Sequence, residues 1–97
     1  MPPPRRLIHS EWFDHALQRL GDLRNVEDVL AKELYRLACY AELVPLAPGA
    51  TSLRIYQTAP VLGEDGTVLR ILIYFVLQEG GDAVELQHIE AIAEETG

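Results

Sequence analysis

The chain has one cysteine, Cys39, one tryptophan, Trp12, and three histidines, His9, His15 and His88. A lone cysteine excludes an intramolecular disulfide and any multi-cysteine zinc site, and it fits a reducing compartment, so cytoplasm is the expected location. The histidines form no HxxH or HxxxH pair, and without a second cysteine they make no recognisable metal set. Basic residues are also scarce: eight Lys and Arg stand against 15 Asp and Glu, a formal charge of −7. Phosphate-backbone binding draws on clustered cations, so this balance disfavours nucleic acid as a partner. The eight cations, Arg5, Arg6, Arg19, Arg24, Lys32, Arg36, Arg54 and Arg70, are scattered rather than blocked. Long apolar runs are missing too. The longest, Ile71 to Leu77, falls far short of the ~20 residues of a membrane-spanning helix. Basic residues at the start, Arg5 and Arg6, have no apolar stretch behind them, and no secretory signal is expected. Gly80-Gly81 runs into a strand pattern, not a helix, and no phosphate loop, nucleophile elbow or dinucleotide fingerprint occurs, so no cofactor is expected.

What is present reads as one small folded domain. A chain of 97 residues, 48% hydrophobic and 24% charged, has the size and composition of a single globular unit. The expected domain spans 1–97, with 1–6 as a flexible tail. Ser10 is a good N-cap before Glu11, and Trp12, Phe13, Ala16, Leu17 and Leu20 recur at helical spacing. Gly21 is placed to close that helix. Asn25 is placed to cap a second, whose stripe is Val26, Val29, Leu30, Leu34, Leu37 and Ala41. The two are expected to form a helical hairpin. Val44 to Gly49 contains two prolines and a glycine, which end the helical part, and its apolar members are expected to pack against the domain.

Beyond that break the periodicity changes to two. Ser52 to Thr58 alternates Leu53 and Ile55 with Arg54, Tyr56 and Thr58. Gly63-Glu64-Asp65-Gly66 has hairpin chemistry, and Thr67 to Leu77 follows as the most strand-like run. There Leu69, Ile71, Ile73, Phe75 and Leu77 make an apolar face and Val68, Arg70, Leu72, Tyr74 and Val76 a mixed one, which suits the middle of a sheet. A turn at Glu79 to Asp82 leads to a last strand, Ala83 to Ile89, with Val84 and Leu86 opposite in facing to Glu85 and Gln87. Arg5 to His9 is a candidate strand before the first helix. The predicted class is α+β, an N-terminal helical hairpin packed on a small antiparallel sheet.

Most candidate chemistry has a plain structural explanation. Cys39 lies in the second helix beside Ala38 and reads as a buried thiol without a basic neighbour. The neighbouring carboxylates Glu27 with Asp28, Glu64 with Asp65, and Glu94 with Glu95 read as solvated charge, because acid-base pairs depend on opposition in space. His15 falls on the polar side of the first helix, and His88 can face other strand residues across the sheet. One cluster remains. Arg54, Tyr56, Arg70 and Tyr74 all occupy the less apolar sides of adjacent strands, where cross-strand pairing would collect them. The plain alternative is that the arginines pair with glutamates and the tyrosine rings pack the rim.

Three phrases, Ser10-Glu11-Trp12-Phe13, Leu69 to Tyr74 and Val84 to Ile89, together with the order of elements, resemble the RelE/ParE toxin superfamily of bacterial toxin-antitoxin modules over nearly the whole chain. In that superfamily a Ser-x-x-Phe phrase opens the first helix, and an Arg followed shortly by Tyr marks a central strand. The resemblance implies a β-α-α-β-β-β order. It matches Arg70 and Tyr74 to the strand Arg and Tyr, with Tyr74 one residue further along than usual, and Arg54 to a basic position on the preceding strand. For a family ribonuclease it implies Arg54, Arg70, Tyr74 and His88 as catalytic groups, which activate a 2′-hydroxyl and stabilise phosphate charge. After His88, however, the chain has no Arg, Lys, Tyr or His, where family ribonucleases place a basic or aromatic group. With the acidic total, this departure shifts the expectation to a RelE/ParE-like protein acting through protein contacts, with an antitoxin-like partner or a second copy as a homodimer. A ribosome-dependent mRNA endonuclease is one alternative. A homo-oligomeric interaction module with no toxin role is the other.

Overall fold

The computed structural model describes residues 4–20, 26–62, 66–78 and 80–93. It is an α+β fold of two helices and one mixed sheet: β1 (Arg6–His9), α1 (Glu11–Gln18), α2 (Val26–Tyr40), a short 3₁₀ turn (Ala41–Leu43), β2 (Leu53–Gln57), β3 (Val61–Leu62), β4 (Val68–Leu77) and β5 (Ala83–Ala93). The strands lie in the order β1-β5-β4-β2, with β3 pairing β4 beside β2.

Ser10 starts α1 as expected, its hydroxyl accepting from the Phe13 N–H at 3.1 Å. The predicted caps Gly21 and Asn25, and with them the link between the helices, lie outside the described residues. Phe13, Ala16 and Leu20 of the first helical segment and Leu30 and Leu37 of α2 enter one core with Ile71, Ile73 and Phe75 of β4 and Val84, Leu86 and Ile89 of β5. Burying each large aliphatic or aromatic side chain there is worth about 1.5–3 kcal/mol. The apolar face foreseen for β4 is thus the face the helices cover. Trp12 was expected in that stripe and is instead 72% exposed. It sits in the first turn, one helical step round from the buried Phe13.

Two further expectations are corrected. The sheet is not wholly antiparallel, because β1 pairs with β5 in parallel, Arg6 opposite Ala83 through His9 opposite Leu86. Nor do residues 5 and 6 belong to a flexible tail. The Arg5 guanidinium donates from Nε to the Gly81 carbonyl at 2.7 Å and from Nη1 to the Ala38 and Cys39 carbonyls at 3.3 and 3.2 Å, and it pairs with Glu42 at 2.5 Å. An arginine fork satisfies several carbonyls at once, and a cation at the C-terminal end of α2 meets the negative end of its dipole. Cys39 is buried, as expected. Among the described residues no helix is long and apolar enough to cross a membrane.

Candidate functional site

Cross-strand register decides which predicted residues meet. The β2–β4 pairing sets Arg54 opposite Phe75 and Tyr56 opposite Ile73, both fully buried on the helix-covered face. Arg70 and Tyr74 alternate with those residues along β4 and so point to the open face. The expected cluster of Arg54, Tyr56, Arg70 and Tyr74 is therefore split between the two sides of the sheet. Arg54 is engaged locally, its Nη1 donating to the Val44 carbonyl. Arginine and tyrosine tolerate the covered face at its margin because their long apolar bodies pack while their tips reach polar partners.

On the open face the structure does bring Tyr74 and His88 together. They are paired directly across β4 and β5, with ring centroids 5.3 Å apart. A bulge produces this. The register shifts between Tyr74 and Phe75, so that Phe75 faces Leu86 and Gln87 is the extra residue on β5. Val84 and Leu86 before the bulge, and Ile89 after it, all face the core, which turns His88 outward beside Tyr74. Glu90 completes the group, accepting from the Tyr74 hydroxyl at 2.6 Å and lying 3.6 Å from His88 Nε2. Arg70 shares this face, opposite Ile92. The hydrogen bond to Glu90, more than burial, raises the Tyr74 hydroxyl above its ordinary pKa of 10.0. A tyrosine so held is a poor base at neutral pH, and a carboxylate beside it repels a phosphate rather than stabilising one.

The larger concavity lies elsewhere. A groove of about 870 Å³ runs along β2 at the end of the sheet, between the C-terminal half of α2 and the segment 43–48. Tyr40, Leu43 and Leu46 project into it, exposed by 41%, 74% and 44%. Ile55 and Leu72 line it from the open face, and Tyr56 from the covered one. Volume and apolar lining are those of a binding cleft. Of the apolar residues expected to pack down from the Pro-rich break, Val44 does so against the core and Leu46 does not.

Beneath the groove lies a polar pair that sequence reading missed. Glu33 of α2 is buried and accepts at Oε2 from the Tyr56 hydroxyl at 2.5 Å, while Arg36 Nη1 stands 3.8 Å from Oε1. Burial first, and then this bond to Glu33, push the Tyr56 hydroxyl up to about 12. The signal was present, since Glu33 falls between Leu30 and Leu37 on one helical face, an acid inside an apolar stripe. Among the described residues no three His, Cys, Asp or Glu side chains gather as metal ligands. No protein-family model, curated protein or solved structure matches the chain.

Proposed function

We propose that the protein works by binding another protein, as a RelE/ParE-like member of a toxin-antitoxin module in the bacterial cytoplasm, and that the groove beside β2 is its contact surface. On this reading the chain has the superfamily's helical hairpin and β-α-α-β-β-β order, with β3 as a short addition. The observation that carries it is the groove itself, where Tyr40, Leu43 and Leu46 stay exposed around an apolar cleft at a sheet edge. Two further facts support binding over catalysis. The four residues expected to form a nuclease site occupy both sides of the sheet, and Arg54 is bonded to a backbone carbonyl.

A nuclease is the second reading, favoured by the contiguity of Tyr74, His88 and Glu90. Induced expression in a bacterial host separates the two. Wild type is compared with Leu43→Ser/Leu46→Ser and with Tyr74→Phe/His88→Ala, each checked for folding by circular dichroism. The proposal expects growth arrest with intact mRNA, relieved by the groove variant alone. Arrest with cleaved mRNA, relieved by the Tyr74/His88 variant, makes it a nuclease. A folded wild-type product that causes no arrest removes the toxin role.

A further inference from the structure

The groove is shaped for one kind of occupant. The Thr58 N–H donates to the Ile71 carbonyl at 3.0 Å, so Thr58 turns its backbone groups toward β4. By the alternation of an antiparallel pair, Arg54 and Tyr56 do the same, and Leu53, Ile55 and Gln57 turn theirs outward. Segment 43–48 covers only the start of that edge: Leu46 bridges Arg54, and the Ala47 N–H donates to the Leu53 carbonyl at 2.8 Å. Among the described residues no strand lies beyond β2. The Ile55 carbonyl and both backbone groups of Gln57 therefore face the groove. A strand laid there would continue the sheet and send alternate side chains to its two faces. The lining is apolar on both, with Tyr40 and Leu37 on the helix side and Ile55 and Leu72 on the other.

Charge narrows the choice further. A second copy of the chain would set −7 against −7. Among the described residues that line the groove, the one charged side chain is Arg36, 55% exposed. Its inner side meets Glu33 at 3.8 Å and the Tyr56 hydroxyl, and the outer side of the guanidinium fork reaches solvent. A carboxylate fits that fork.

We infer that the groove takes up an extended apolar segment of a partner protein, which adds to the free edge of β2 and sets one carboxylate on Arg36. This rests on the reading of the groove as a protein-contact surface. One carboxylate is favoured over an acidic run, because the domain's own negative charge opposes a second beyond the reach of Arg36.

The test is NMR titration of the full chain with the short peptide Thr-Val-Thr-Ile-Val. It is prepared with a free C-terminal carboxylate, as the C-terminal amide, and with alternate backbone nitrogens methylated. The acid is expected to bind about tenfold more tightly than the amide. Shifts should centre on Ile55 to Gln57 and segment 43–48, and the methylated peptide should not bind. Arg36→Gln is expected to bring the acid down to the affinity of the amide while leaving the amide unaffected, which also reports that the variant groove is intact. Acid and amide binding equally would overturn the carboxylate. Equal binding of the methylated peptide would overturn strand addition, and no binding of the acid at millimolar concentration would overturn both. If peptides fail but the groove variant relieves arrest, only this inference falls. If they bind and no arrest occurs, the groove stands as a peptide site and the toxin role falls.

Discussion

At the scale of single residues, the pair of buried Glu33 and half-buried Tyr56 links the core to the groove and carries its own pH signature. The Tyr56 hydroxyl is held as a donor by a carboxylate 2.5 Å away, and its pKa rises from 10.0 to about 12. A raised pKa means that the folded state favours the protonated phenol. The stabilisation is therefore complete below pH 10 and is lost as pH rises through the window up to about 12. Tyr56→Phe is expected to cost about 1–3 kcal/mol at neutral pH, because a buried carboxylate oxygen loses its donor. Across the alkaline window wild type should then lose stability toward the variant, so the gap between them narrows. Urea unfolding of both proteins from pH 7 upward measures this. A gap that stays constant would show that the pair is not formed in solution. Tyr35 and Tyr74 also titrate above their ordinary values, but they are common to both proteins and cancel in the difference.

At the scale of elements, β1 is held by its parallel pairing with β5 and, at its start, by Arg5, whose fork joins the strand to the end of α2 and to the β4–β5 turn. That turn is possible because Gly80 and Gly81 take φ of 92° and 73°, which a side chain would resist. Arg5→Gln removes the charge and most of the donors to Gly81, Ala38 and Cys39, and it is expected to cost about 1.5–3 kcal/mol. Arg5→Lys keeps the charge without the fork and should recover only part of it. Hydrogen exchange locates the effect, with Leu7 and Ile8 amides speeding up more than those of β4; uniform acceleration would mean that β1 does not loosen on its own. The same strand shows where sequence reading ends. Local signals were legible: the Ser10 cap, the helical spacing of Phe13, Ala16 and Leu20, and the alternation of β4, whose Ile71, Ile73 and Phe75 are fully buried. The parallel pairing of β1 was not, since no residue within a strand states which neighbour it meets. The site suffered from the same gap. Alternation correctly grouped Arg54 with Tyr56, and Arg70 with Tyr74, but only register could show that these groups face opposite ways. One clue was readable, because Val84 and Leu86 are even and Ile89 odd, and a core face that changes parity requires a bulge.

At the scale of the molecule, two surface properties oppose one another. Leu43, Leu46 and Trp12 leave apolar area exposed, which favours association, while a net charge of −7 opposes the approach of a second copy. The balance is set by pH, since the isoelectric point is about 4.8 and the repulsion vanishes as carboxylates take up protons on the way down to it. Sedimentation velocity is therefore expected to show a larger weight-average mass as pH falls from 7 toward 4.8. Added salt at pH 7 should move the mass the same way by screening. Leu43→Ser/Leu46→Ser leaves the charge unchanged and removes apolar area only from the groove, so it isolates that surface. If the groove is what associates, the variant keeps its low mass at a pH where wild type has grown. If the variant associates as readily as wild type, the contact lies elsewhere, and Trp12, exposed on α1 away from the groove, becomes the residue to replace next. A mass that ignores both pH and salt would mean that charge does not oppose self-association, and a second copy would then fit the groove as well as a partner segment.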